Sequence, residues 1–262
     1  MIGITTFGDP SIYTEWIEKT GDMDGIILVT KAPGAFINST LESEIEKIKD
    51  KLIIHCTITG YGHTVVEPNV NSQLVSVMMM KELKLRGYNI VLRIDPIIPT
   101  IKGLERMKEV IELSKVYLGL EGLRIRWSLI DNYAHIEHRG IELPWTSFNV
   151  PENSNSKTEY HGANEVIEYF KILEEQDKAI IETCCEDYIQ IPEKWKVGCV
   201  SIRDMEIFKL PIPTKIKRKN QRGNCTCISE KHELLEHKEQ CPYQCKYCYW
   251  KQDYKSYEEE IG

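Results

Sequence analysis

"KLIIHCTITGYG", residues 51–62, sets the reading of the fold. Its first nine residues, 51–59, are a nearly continuous apolar and β-branched run, the pattern of a strand buried on both faces. The run stops at a turn that carries Gly60 and Gly62. Helical spacing flanks it on both sides: Leu41, Ile45 and Ile48 before it, and Leu74, Val77, Met78 and Leu85 over about 71–86 after it, with Gly87 as a stop. The same alternation extends outward. "IGITT" (2–6), "GIILVT" (25–30), "NIVLRI" (89–94), "GLRIRWSLI" (122–130) and "KAIIET" (178–183) read as strands. Helices are expected after Asp9, as a cap with Pro10 at the first position and Ile12 and Trp16 on one face, over 102–118, and around Val166, Ile167, Phe170 and Leu173. Six strands separated by helices imply parallel pairing through right-handed crossovers. No glycine-rich phosphate turn follows the first strand, so the expected fold is an α/β parallel (β/α) barrel or partial barrel rather than an open doubly wound sheet.

The 262 residues suffice for one such barrel, and 42% hydrophobic with 28% charged residues is the balance of a soluble globular chain. A net charge of -7 argues against nonspecific grip on a polyanion over the whole surface, though not against a local basic groove. "MIGITTFGDP" lacks the basic start and apolar run of a signal peptide, and no apolar stretch nears the roughly 20 residues that span a bilayer. A cytoplasmic protein without membrane contact is expected. Two segments break the rhythm: 131–161, with "PENSNSKTEYHG", reads as a surface insertion, and "PIPTKIKRKNQRGN" reads as an extended connection bearing Lys215, Lys217, Arg218, Lys219 and Arg222.

In a parallel barrel the loops leaving the strand carboxyl ends build the site. Here they are "TFGDP", "TKAPG", "TGYGHTVVEPN", "RIDPIIP", "SLIDNYAH" and "TCCED". Gly60 and Gly62 would let backbone approach a ligand closely. Side chains alternate along a strand, so "RIDP" puts Arg93 and Asp95 on one face, either as a ligand-facing pair or as an ion pair at the rim.

Nine cysteines are many for a reducing compartment, and the number is odd, so metal or redox chemistry explains them better than disulfides. Eight of them lie beyond residue 183, and "CPYQCKYCYW" (241–250) places Cys241, Cys245 and Cys248 at i, i+4 and i+7. Thiolates at that spacing can wrap one face of a cubic iron–sulfur cluster and leave its fourth iron open to an external ligand. Zinc is the competing reading, but structural zinc prefers thiols paired two apart with a second pair elsewhere. Cys225 and Cys227 converge on one side of an extended strand, while Cys184 and Cys199 can be read as buried small hydrophobes. Cys56 and Cys185 read as core cysteines, Met78, Met79 and Met80 as helix packing, and His55 and His63 as non-ligands.

"CPYQCKYCYW" resembles the cluster loop of the radical S-adenosylmethionine enzymes, CxxxCxxC with an aromatic residue, here Tyr247, before the last cysteine. Its wording is most similar to the branch that contains spore photoproduct lyase. Nearly the whole chain resembles an uncharacterised family that carries, in order, "TGYG" (59–62), "RIDPII" (93–98), "QRGNCTC" (221–227) and "CPYQCKYCY" (241–249). The resemblance implies a [4Fe–4S] cluster on Cys241, Cys245 and Cys248 whose open iron binds S-adenosylmethionine. Reductive cleavage would then yield a 5′-deoxyadenosyl radical that takes hydrogen from a substrate. It also implies an electron donor such as a flavodoxin or ferredoxin. Ordinary members carry this loop after the first strand, so its place here implies a circularly permuted barrel: residues 1–209 as the core, and 210–262 as a cysteine-rich segment packed on the same domain. Thr59, Gly60, Gly62, Glu67, Asn69, Arg93, Asp95 and Tyr247 are the candidate cofactor-binding residues, and Lys31 stands where the family has a similar lysine. Cys184, Cys199, Cys225 and Cys227 also match cysteines of that family, and four thiols are the right number for a second, closed centre, an auxiliary cluster or zinc.

The chain also departs from that family. Two arginines usual before the aspartate matching Asp9 are missing, Tyr243 and Gln244 replace a His-Gly pair, and Trp250 replaces a small residue. The thiols are intact, so the cluster is expected to survive these changes. Base modification in a nucleic acid is one candidate reaction, since the basic run at 215–222 could meet phosphates, while the acidic total charge favours a small molecule or peptide. The alternative from another class is an iron–sulfur or zinc-stapled binding or electron-transfer protein that never cleaves the cofactor.

Overall fold

The computed structural model describes residues 1–131, 136, 139–141, 162–184, 186, 189–213, 226–228, 230–236 and 241–248. Most of the 131–161 insertion, the basic run at 215–222, Cys185, Cys225, Tyr249 and Trp250 lie outside the described residues.

Among the described residues seven strands form one all-parallel sheet: β1 (Ile2–Ile4), β2 (Gly25–Thr30), β3 (Leu52–Thr57), β4 (Asn89–Ile97), β5 (Arg124–Leu129), β6 (Ile180–Thr183) and β7 (Lys231–Glu233). Their order is β6-β5-β4-β3-β2-β1-β7. Over the described residues the sheet does not close, so its form is that of a partial barrel. Among the described residues the main helices are α1 (Trp16–Lys19), α2 (Thr40–Lys47), α3 (Gln73–Leu85), α4 (Ile101–Leu118), α5 (Ala163–Gln176) and α6 (Ile202–Ile207). Among the described residues no helix is long and apolar enough to cross a membrane.

Alternation along the strands gives the sheet two unlike faces. Ile26, Leu28, Leu52, Ile54, Leu92, Ile94, Ile125 and Trp127 face one way, into a core filled by Val77 and Met80 of α3, Met107 and Ile111 of α4, and Val166 and Phe170 of α5. On the other face Ile4, Ile27, Ile53 and Val91 pack with Val200, Met205 and Phe208 around α6. Toward the carboxyl ends of β3 to β6 that second face turns polar. Thr57, Arg93, Arg126 and Glu182 stand in register across the four strands.

The structure corrects one expectation. Asp9 does not cap a helix beginning at Pro10. The amides of Ile12 and Tyr13 close a single turn on the Asp9 carbonyl, and the helix is only Trp16–Lys19. The Asp9 carboxylate is spent elsewhere: it accepts from the Thr30 hydroxyl at 2.8 Å, the Lys31 amide at 2.6 Å and the Ser11 amide at 2.9 Å. Ahead of the cysteine loop lies β7, a short strand within the charged stretch 229–240. It pairs with β1, Ile2 opposite Lys231 and Ile4 opposite Glu233, and the chain continues with the Leu234 amide donating to the Ile4 carbonyl at 2.8 Å.

Candidate metal centre

The turn 241–248 stands at the carboxyl ends of the strands, and contacts from several segments hold it there. Within it, the Gln244 amide donates to the Cys241 carbonyl at 3.1 Å, and the Cys248 amide to the Cys245 carbonyl at 3.0 Å. Two tight turns thus bring three thiols onto one short loop. The Lys246 amide donates to the Val66 carbonyl at 3.0 Å, the Asn69 side chain to the Pro242 carbonyl at 2.7 Å, and Arg139 to the carbonyls of Lys246 and Cys248 at 3.1 and 2.6 Å. Ser11 and Tyr243 share a hydroxyl–hydroxyl bond of 2.9 Å.

Under the loop lies a charged group. Glu67 is 1% exposed and accepts from the Lys31 ammonium at 2.7 Å and from the Tyr247 hydroxyl. The Lys31 nitrogen also sits 5.3 Å from the centre of the Tyr247 ring. Burial opposes the Lys31 charge, but Glu67, Cys245 and Asp95 outweigh it and raise its pKa. Burial pushes the Cys245 thiol up to about 12, with Lys31 opposing and Glu67 adding. Further down the same face Arg93 forks onto Asp95, which also accepts from the Ser128 hydroxyl. Burial raises the Asp95 carboxyl, but Arg93, Ser128 and Lys31 prevail and hold it below its ordinary value.

Glu67, Asn69, Tyr247 and Lys31 are therefore gathered at the cysteine loop, and Asp95, held by Arg93, stands close enough to Lys31 to act on it electrostatically. Thr59, Gly60 and Gly62 are accounted for within the chain itself. The Thr59 hydroxyl accepts from the Tyr61 amide at 3.4 Å. Gly60 has φ +86°, and a Cβ there would lie 2.8 Å from the Arg106 carbonyl oxygen; a Cβ on Gly62 would lie 1.8 Å from that of Asn71. The backbone these glycines approach is the protein's own. Sequence reasoning missed Arg139 and Ser11 as fasteners of the loop. Neither carries a local pattern, because their partners are a backbone carbonyl and a hydroxyl far along the chain.

Cys245 is buried, and Cys241 and Cys248 are half-buried. Among the described residues no group of three or more His, Cys, Asp or Glu side chains gathers round one point as the ligands of a single ion do. A cubic cluster asks for something else, since each thiolate takes its own iron and the sulfurs stand further apart. Three soft donors on one loop, with Lys31 beside them to offset thiolate charge, fit such a cluster with one iron left without a protein thiolate.

An open parallel sheet with a three-thiol loop over its carboxyl edge defines the class: an α/β protein with a candidate thiolate metal centre. Residues 9–250 match the family described as a domain of unknown function (DUF1848), and the chain belongs to that family. No curated protein and no solved structure matches it.

Proposed function

We propose that the chain is a radical S-adenosylmethionine enzyme whose [4Fe–4S] cluster is held by Cys241, Cys245 and Cys248. The observation that carries this reading is the placement of the loop. A three-thiol turn sits over the carboxyl edge of a parallel sheet, where α/β folds bind ligands, although it comes last in the chain. The strand that leads to it pairs beside β1, as a permuted barrel requires.

When bound, the cluster supplies the electron that cleaves the sulfonium of S-adenosylmethionine to methionine and a 5′-deoxyadenosyl radical. The chain's residues bind and orient around it. Glu67 and Tyr247 fix the loop from below, and the Asn69 amide fixes it from the side. Lys31, kept protonated, offsets thiolate charge at Cys245. Lys31 and the ionised Asp95 offer two fixed, opposite charges near the loop, which suits the carboxylate and ammonium of an amino-acid end group. The electron would come from a small donor protein such as a flavodoxin or ferredoxin.

The test is product analysis. Anaerobically reconstituted, dithionite-reduced protein should convert S-adenosylmethionine to methionine and 5′-deoxyadenosine. Cys241→Ala, Cys245→Ala and Cys248→Ala should each abolish this while the sheet still unfolds cooperatively. A full, reducible cluster without cleavage would instead identify an electron-transfer or binding protein.

A further inference from the structure

Three other thiols meet on the open side of the sheet. Cys184 follows β6, Cys199 precedes α6, and Cys227 lies just before β7. The Cys184 and Cys199 sulfurs are 4.0 Å apart, and the Cys199 amide donates to the Cys227 sulfur at 3.0 Å. An N–H aimed at sulfur favours the thiolate. A Cβ on Gly198 would lie 2.2 Å from the Cys227 Cα, so only glycine lets the two segments close to this distance. The Ile228 amide to the Val200 carbonyl, 3.1 Å, and Arg126 to the Cys199 carbonyl, 3.2 Å, hold the backbones in place.

Cys227 is fully buried, but the surroundings of Cys184 and Cys199 are those of reactive or ligating thiols. Cys184 and Cys199 are half-buried. Lys231 places its ammonium 4.0 Å from the Cys199 sulfur, and Arg93 and Arg126 lie close enough to feel that sulfur's charge. A cationic pocket of this kind lowers the cost of thiolates. A disulfide between Cys184 and Cys199 would leave the Cys227 sulfur, with its backbone donor, unused.

We propose that Cys184, Cys199 and Cys227 form a second, separate thiolate site that takes a thiophilic metal centre, zinc or an iron–sulfur cluster. The centre fastens the segment after β6 to the segment before β7, across the side where the sheet fails to close. No three described donors are yet gathered round one point: a zinc ion would draw the third thiol toward the 4.0 Å pair, whereas a cluster would part the pair, since each thiolate takes its own iron. This site does not depend on the cysteine loop, and its failure leaves the cofactor-cleavage test untouched.

The experiment uses the full chain carrying Cys241→Ala, Cys245→Ala and Cys248→Ala together, grown with iron and zinc and purified without oxygen. Metal and sulfide are counted per chain. Retained iron with matching sulfide shows a cluster at the second site, and retained zinc without sulfide shows zinc; either supports the proposal. Adding Cys199→Ala and Cys227→Ala should remove that metal. A folded loop variant that holds no more iron or zinc than the chain with all five replaced overturns it. Should these variants fail to fold, residue-resolved alkylation of the wild-type protein decides. Cys184 and Cys199 should resist labelling until the metal is stripped with EDTA and ferricyanide. Equal labelling before and after stripping refutes the site.

Discussion

His55 lies in the middle of β3 with 0% exposure, and neither of its ring nitrogens has a hydrogen-bond partner among the described residues. Burial, reinforced by Arg126, Arg93 and Arg124, holds its pKa well below 6.5. The unfolded chain therefore takes up a proton as pH falls through about 6.5, while the folded chain does not. Stability from this group is present above that pH and is lost as pH falls below it, by about 1.4 kcal/mol per pH unit for one proton. His55→Leu should lose that part of the slope. Urea unfolding at about pH 5 and about pH 7 checks it, and an unchanged difference between the two would clear His55 of the role. Glu67 poses the opposite case, a charge that must stay. Glu67→Gln leaves the Lys31 ammonium, 16% exposed, without its counter-ion. It should destabilise the protein by about 3 kcal/mol in urea unfolding, and Lys31→Met in the same chain should restore much of the loss, since no charge then stays behind. The cysteine spacing that locates the site could be read in ten consecutive residues. The charges beneath it could not, because Lys31, Glu67 and Tyr247 come from three distant segments and meet only through the fold.

At the scale of elements, α6 is held by an ionic joint. Arg124 on β5 binds Glu182 on β6 at 3.0 Å and Asp204 on α6 at 2.8 Å, all nearly or fully buried. Asp204 also completes the capping box with Ser201. The two residues should therefore differ in what their loss costs. Ser201→Ala removes a cap and should cost about 1 kcal/mol. Asp204→Ala removes the cap partner and one of the two carboxylates facing Arg124, and should cost about 3 kcal/mol. Thermal unfolding of both variants compares them, and equal losses would show that the joint contributes only its cap. Strand legibility follows the same physics. The six strands with apolar runs are largely buried, five of them between two neighbours, and could be read from those runs alone. β7, "KHE", is a short edge strand whose side chains are half-buried or exposed, so it carries neither a run nor an alternation. Asp9 misleads for a related reason. Asp-Pro is a helix-start signal, but here the carboxylate is drawn to Thr30 and Lys31, a contact with no local trace.

At the scale of the whole molecule, the C-terminal segment completes the sheet rather than decorating it. β7 covers the outer edge of β1, and the Thr6 amide donates to Glu233 at 2.8 Å just beyond the paired residues. Leu234 and Leu235 are 0% and 2% exposed, and the Leu234 side chain lies against Gly3. Burying a leucine contributes about 1.5–3 kcal/mol, so the two together are worth a large share of the 5–15 kcal/mol that typically holds a domain. Ending the chain at residue 209 removes both leucines, unpairs the outer edge of β1 and frees the Val66 carbonyl and Asn69 side chain that hold the cysteine loop. An uncovered parallel edge is a template for association. The shortened protein should therefore run as aggregates on size exclusion and lose its cooperative thermal transition. A monodisperse, cooperatively unfolding 1–209 chain would show that the barrel core stands alone and that the thiol-bearing segment is an appendage.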